Sequence, residues 1–351
     1  MRDSKSRVPT IHDVAKRAGV STSTVSRALA GEPRVSEETR LKVSKMAETL
    51  GYRPSRSAQS LRGRKTWTIG MLAPDLENPI NQDHLRATIS AAHEAGYTVL
   101  VADAQDSPSI QDRELRKLRD FRVDGLIIGR GILHVTRGFV DFVASGVPVD
   151  PDLGSVDDLE ELVGSAITPF PERGDLDSGA AMIAYRRFFD LGHRRFAVFR
   201  RGQMATELAH RRVNALNSLL EERGEQNSWV TVISIDEFSD CIPELQAVMA
   251  RPDRPTAVIS ANGRLTPFVL QGLQSAGLQI PRDVSVLCFG DSAWHLAYSP
   301  PLSVIRHDYA LAAKRSVELL VSQMERREMK ITPLRPSEFV SRASIGPAPA
   351  L

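Results

Sequence analysis

The chain has 351 residues, 42% hydrophobic and 25% charged, a balance that fits an ordinary globular protein of two or three domains. Its two cysteines, Cys241 and Cys288, exclude a disulfide framework and a cysteine metal site, so each reads as a small apolar filler in a reducing compartment. The formal net charge is only +2 but is unevenly placed: residues 1–65 hold 15 Lys/Arg against 6 Asp/Glu, whereas residues 66–351 hold 30 against 37.

Met1 to Thr10 is charged and polar with no apolar signal-peptide core behind it, and no apolar run reaches membrane-spanning length. A cytoplasmic, soluble protein with no membrane partner is expected. Residues 11–30, IHDVAKRAGVSTSTVSRALA, predict two short helices meeting at Gly19, with the Ser21 hydroxyl capping the second. The spacing of Ala15, Gly19 and Val25 is that of a helix-turn-helix, whose second helix lies in a DNA major groove. Its exposed residues are then Thr22, Ser23, Ser26 and Arg27. With Thr10, Ser21 and Arg34, and amid the positive charge of Lys16, Arg17, Arg40, Lys42, Lys45 and Arg53, they make the candidate DNA interface. A third helix starts at Ser36, carries Glu37 and Glu38 in its first turn where the helix dipole favours acids, and stops at Gly51. Val35, Val43, Met46, Ala47 and Leu50 complete a small three-helix core.

After Pro54, the segment SRSAQSLRG offers two turns of helix between Ser55 and Gly63, too short to persist alone. Ala58 and Leu61 form its apolar edge. In a dimer, two copies could pair over DNA and wedge the leucines into a minor-groove step; otherwise the segment is a flexible basic linker.

The motifs TIHDVAKRAGVSTSTVSRALAG, PRVSEETRLKV, LGYRPSRSAQSLR and TIGMLAPDLENP, followed by RVDGLII, LGHRRFAVF, RPTAVISAN, GLQIPRDVSVLCFGD and SPPLSVIR, resemble the LacI/GalR family of bacterial transcription regulators over nearly the whole chain. The resemblance implies that Thr22, Ser23 and Arg27 read major-groove bases and that Ala58 and Leu61 belong to a minor-groove hinge helix. It also implies the architecture: an all-α helix-turn-helix head over 1–54, a hinge over 55–65, and an α/β two-lobed periplasmic-binding-protein-like (type I) effector domain over 66–351. The first lobe would take about 66–171 and 300–329, and the second about 172–299 and 330–345.

The residues beyond 66 support such a body on their own. Apolar runs at 68–72, 98–102, 125–128, 195–199, 230–235, 257–260 and 284–289 read as strands, and helix-length segments fall at 82–95, 109–120, 179–191, 205–223 and 264–276. The alternation occurs twice, separated by an irregular stretch from Pro148 to Gly174, so two lobes of parallel sheet are expected. Ligands of such sheets sit outside the carboxyl ends of the strands. The residues there are Asp75, Asn78, Asn81, Gln82, Asp103, Arg130, His134, Arg200, Arg201, Asn262, Arg264, Asp291 and Trp294. Fewer than half are expected to touch a ligand, since strand-end Asp and Asn often only shape turns.

By the resemblance, the family's pocket arginine falls on Arg212 in HRRVNAL, and its pocket asparagine on Asn262. An arginine there can hold hydroxyls or a carboxylate, with a surface ion pair as the rival reading. Asn78, Asn81, Asp291 and Trp294 complete the candidate effector set. The chain also departs from the family pattern: Gly263 stands where an Asp follows the Asn, and Gly290-Asp291 replaces a common Asp-Asp. Asp175-Leu176 stands for Asp-Asn, and Ile80-Asn81 for an aromatic pair. Fewer acceptors for sugar hydroxyls remain, so a sugar effector and an anionic or less hydroxylated metabolite both stay open.

Enzyme chemistry finds little support. GMLAPDLENP after the first strand lacks a G-x-G-x-x-G fingerprint, GRG at 129–131 lacks the third glycine, and neither H-x-x-x-H nor G-x-S-x-G occurs. His193 in LGHRR reads as a helix-terminal or turn residue. No catalytic residue, cofactor or metal is expected. A solute-transport receptor shares the body but needs an export signal. The expected partners are a near-palindromic double-stranded operator, a small-molecule effector and a second copy of the chain, because one helix-turn-helix reads too few base pairs for a genome. The tail after Ser341 has no heptad run to add a tetramerising coil.

Overall fold

The computed structural model describes residues 9–29, 32, 34–52, 65–129, 136–151, 177–202, 207–224 and 228–350. Ser55, Ala58 and Leu61 of the expected hinge, and Arg130, His134, Asp175 and Leu176, lie outside them. The chain divides into two compact units, Met1–Thr66 and Trp67–Leu351.

In the first unit, α1 (Ile11–Ala18), α2 (Thr22–Leu29) and α3 (Glu37–Leu50) form the predicted three-helix module. Local chemistry sets each boundary. The backbone N–H and hydroxyl of Thr10 both donate to Asp13 at the start of α1. The Ser21 hydroxyl accepts from the Thr24 N–H, and that of Ser36 from the Thr39 N–H. Gly19 closes α1 at φ +67°, in the left-handed region where a side chain costs energy. Val14, Ala15, Ala18, Val25, Ala28, Val35, Val43 and Ala47 form the core.

In the second unit, β1 (Thr68–Ala73), β2 (Thr98–Asp103), β3 (Gly125–Ile128) and β4 (Val149–Pro151) pair in the order β2-β1-β3-β4, all parallel. The helices α4 (Pro79–Glu94), α5 (Pro108–Asp120) and α6 (Arg137–Val143) flank this first sheet. Side-chain alternation splits its core into two. Leu72, Leu126 and Ile128 meet Leu115, Leu118, Phe139 and Phe142 of α5 and α6. On the opposite face Ile69 and Ile127 meet Ala92 of α4 and a much later helix.

The second sheet contains β5 (Arg195–Arg201), β6 (Trp229–Ile235), β7 (Ala257–Ser260), β8 (Ser285–Phe289), β9 (Ser303–Arg306) and β10 (Glu338–Val340) in the order β10-β9-β8-β7-β5-β6. Among the described strands only β10 runs antiparallel, against β9. One face carries α7 (Ser178–Asp190) and α8 (Glu207–Arg223); the other carries α9 (Cys241–Met249) and α10 (Thr266–Ser275). Burial on both faces explains why β5, β7 and β8 read as continuous apolar runs. Two later helices, the short α11 (Ala293–Ala297) and the long α12 (Tyr309–Glu325), complete the unit.

Several elements went unpredicted. β4 lies inside the stretch expected to be irregular; it is three residues long and carries an acid and a proline. β9 pairs with β8, so residues 303–306 belong to the second sheet and not, as expected for 300–329, to the first lobe. The chain crosses to the first lobe only after Arg306, where α12 packs on α4 and β3 and supplies Val317, Leu320 and Val321 to the core there. It then returns to β10, so the described elements change lobe three times: between β4 and α7, between β9 and α12, and between α12 and β10. The tail lies along the second lobe: the Gly346 carbonyl accepts from the Ser285 hydroxyl, and the Ala348 N–H donates to Leu191.

His193 is a satisfied core residue. Its Nε2–H donates to the Gly346 carbonyl, leaving Nδ1 to accept from Thr256, and burial holds its pKa down. Cys241 and Cys288 are fully buried, which pushes both thiols up to about 12 and leaves them inert fillers.

Candidate DNA interface and effector site

The second helix of the small unit turns Val25 and Ala28 inward and leaves Ser23 and Arg27 exposed, with Thr22 and Ser26 half-buried beside them. The spacing i, i+1, i+4, i+5 puts these four on one face. Arg27 is only loosely held, 3.9 Å from Glu32, so its guanidinium can turn to a base edge. Arg34, Lys16, Arg17, Lys42 and Lys45 are exposed as well. The hydroxyls of Thr10 and Ser21 are engaged in helix starts, so these two residues fix helix geometry as well as lying at the surface.

In the large unit, Arg212 on α8 is the centre of a buried polar knot. One guanidinium NH2 donates to the Ala261 carbonyl at 2.7 Å and the other to Asp177 at 2.8 Å, while the plane lies 4.0 Å over the Phe289 ring. Asp177, just ahead of α7, also accepts from the Ser337 hydroxyl at 2.8 Å and faces His307 Nδ1 at 3.0 Å. These partners come from all three crossings: Asp177 ends the first, His307 sits in the second, and Ser337 closes the third. Arg212, the candidate pocket arginine, is thereby tied to the connections between the two lobes.

The other predicted effector residues fall into two groups. Asn78, Asn262 and Arg212 come together around the 261–263 loop. The Asn78 side-chain oxygen accepts from the Ile80 N–H, and that of Asn262 from the Arg264 N–H. Asn81, Asp291 and Trp294 are drawn elsewhere. Asn81 is buried and donates to the Asp75 carbonyl. Asp291 is clamped by Arg342 at 2.6 and 2.9 Å and by Arg306 at 3.0 Å. Burial alone would raise its pKa, but the two guanidiniums outweigh that and hold it below the usual carboxylate range. Trp294 packs on the second-lobe core and stacks on His295, which burial holds neutral with a pKa of about 4.

A second set of contacts bridges the lobes. Arg264, from the loop after β7, donates to Asp75 at 2.9 Å and to Glu77, both from the loop after β1. Arg201, at the end of β5, lies 4.0 Å from Asp106 of the first lobe. Both guanidiniums rest against the Phe238 ring, at 4.0 and 4.3 Å. Burial pushes Asp106 up to about 6, with Asp75 adding to the rise and Arg201 and Arg264 opposing it.

Sequence reasoning placed Arg201, Arg264, Asp75 and Arg212 at strand ends or in the pocket, but missed Asp177, His307, Ser337, Asp106 and Phe238. Asp177 did carry a signal, as an acid directly ahead of a helix. That it pairs with Arg212, 35 residues away, had no local signal.

Residues 10–55 match the family described as Bacterial regulatory proteins, lacI family, and residues 185–345 match the Periplasmic binding protein-like domain. The HTH-type transcriptional repressor PurR of Photobacterium profundum is 29% identical over 96% of this chain and 98% of its own length. The ribose operon repressor of Escherichia coli is 26% identical over 93% and 97%. Among solved structures, the lac repressor dimer bound to operator and the anti-inducer ONPF superposes with a TM-score of 0.76 at 24% identity, covering 96% of this chain and 99% of that one.

Proposed function

The chain belongs to the lacI family of bacterial regulatory proteins, with that family's DNA-binding domain followed by a periplasmic-binding-protein-like body, and from this premise we propose that it represses a catabolic operon and releases it when a small-molecule effector enters the cleft. It is a DNA-binding transcription regulator and not an enzyme, as are the curated relatives that match nearly all of its length. It acts in the cytoplasm, at the nucleoid, as a homodimer on a near-palindromic operator. Among the described residues no helix is long and apolar enough to cross a membrane.

The observation that carries the reading is the exposed Ser23/Arg27 face of α2 on a basic three-helix unit. Phosphate contacts from Lys16, Arg17, Lys42 and Lys45 supply salt-dependent affinity, and Thr22, Ser23, Ser26 and Arg27 read base edges. The body senses. Effector contact at Arg212 acts on Asp177 and so on all three crossings, which changes the lobe angle and the separation of the two hinge segments at 55–65. A hinge helix too short to stand alone is a suitable bistable element, and coupling of about 1–3 kcal/mol suffices to switch it.

The test is a gel shift on the protein's own upstream DNA with operator variants. Arg27→Ala should relax discrimination at one position of each half-site, at a cost of about 1–3 kcal/mol. Unchanged preference across mutated half-sites would remove Arg27 from the interface, and binding that is identical for all fragments would remove the function.

A further inference from the structure

The three departures at Ile80, Gly263 and Gly290 form one physical unit. Ile80, at the start of α4 in the first lobe, reaches the second lobe exactly where two glycines leave room. A Cβ at Gly290 would lie 2.2 Å from Ile80 Cδ1, and one at Gly263 would lie 2.9 Å from the same atom and 2.8 Å from Asn78 Oδ1. A side chain at either position requires Ile80 to move, and at Gly290 it would also sit at φ +93°, so the carboxylates that the resemblance leads one to expect there compete with Ile80 for the same space. The wall is apolar because all three residues are what they are.

The polar groups next to this wall are unevenly engaged. Asp75, Asp177 and Asp291 each already accept from an arginine of this chain at 2.9 Å or less. The donors are different. Backbone N–H groups fix the oxygen ends of Asn78 and Asn262, which leaves both amide NH2 groups without an acceptor among the described residues. The buried Arg212 Nε–H also has none among them. A polyol brings hydroxyls that must both donate and accept, and beside Ile80 its donors would go unmatched. A carboxylate brings acceptors only.

We propose that the effector is a small carboxylate with a compact apolar body, and that Ile80, seated against Gly263 and Gly290, is the specificity-determining residue that excludes polyhydroxylated ligands. This rests on the regulator reading above.

Calorimetry on the full-length protein tests it, with acetate, hexanoate, benzoate, phenylacetate and succinate against ribose, glucose, benzamide and inorganic phosphate. The expected result is that at least one carboxylate binds roughly tenfold or more tighter than benzamide or either sugar, since charge-assisted bonds to the donors are lost in the neutral ligands. Ile80→Ala/Gly290→Asp should shift the ranking toward the sugars, and Ile80→Val should keep the wild-type ranking. A sugar or phosphate outranking every carboxylate overturns the proposal, as does the absence of binding by any of them. So does an unchanged ranking in a folded double variant; if that variant does not fold, the wild-type ranking decides alone. Operator gel shifts on the same samples separate the two levels. Specific operator binding with a sugar-first ranking sinks the carboxylate and leaves the regulator, whereas loss of any operator preference sinks the regulator.

Discussion

Replacing Asp177 by alanine tests whether the Arg212 knot holds the large unit together. The Arg212 side chain is only 11% exposed, and the carboxylate of Asp177, 1% exposed, is its anionic partner at 2.8 Å. Removing that carboxylate strands a buried guanidinium and leaves the Ser337 hydroxyl with His307 Nδ1, at 2.7 Å, in place of its anionic acceptor. Breaking a buried pair from one side costs about 3–5 kcal/mol. In a unit of this size each kcal/mol moves the midpoint by roughly 2 °C, so Tm should fall by about 6–10 °C. The double variant Asp177→Ala/Arg212→Met removes the stranded charge and keeps an apolar chain over the Phe289 ring. It should be more stable than Asp177→Ala by about 1–3 kcal/mol. Calorimetric melts of the four proteins close the cycle. A single variant that loses less than about 1 kcal/mol, or a double variant that costs the sum of the two singles, would falsify the idea that the knot is a coupled buried pair.

Asp106 gives a pH signature. Its folded pKa of about 6 lies above the ordinary 3.8, so the folded state holds the proton more tightly and loses stability as pH rises between those values. Asp106→Asn should therefore gain on the wild type by up to about 3 kcal/mol between pH 4 and pH 7, and parallel denaturation curves at the two pH values would contradict the assignment. Gly19→Ala meets no atom within 4 Å, so its cost is conformational: about 1–2 kcal/mol for a side chain at φ +67°. Faster amide exchange in α1 and α2 would register it, and unchanged protection would show that the turn relaxes freely. Leu61→Ala should weaken specific operator binding while leaving the salt-dependent nonspecific attraction in place; equal loss of both would argue against a minor-groove wedge.

Much of the scaffold was legible because it is set by short-range physics. Caps at Ser21 and Ser36, the left-handed turn at Gly19, and strands buried on both faces leave their marks within a few neighbouring residues. Short elements were the exception. β4 and β9 have three and four residues, too few for a period to show, and their sheet is assigned by pairing with distant strands. The long α12 has a regular apolar face that periodicity does carry, but which lobe it covers depends on where the chain crosses.

The site divides the same way. Arg212, Asn78 and Asn262 were found as residue types at strand ends or in a matching motif. That Asp291 is clamped by Arg342 and Arg306, that Asp177 holds Arg212, and that Ile80 fills the space at Gly263 and Gly290 was not. The amino-acid order by itself determined the charge-divided DNA-binding head, the repeated α/β units and the loss of side chains at two cleft positions. The tertiary structure alone decided which acid neutralises which arginine and what occupies the space the glycines leave. These contacts join residues from 15 to more than 200 positions apart. Packing within the second lobe chooses the partners of Asp291 and Asp177, the meeting of the two lobes chooses that of Ile80, and no local pattern encodes either distance.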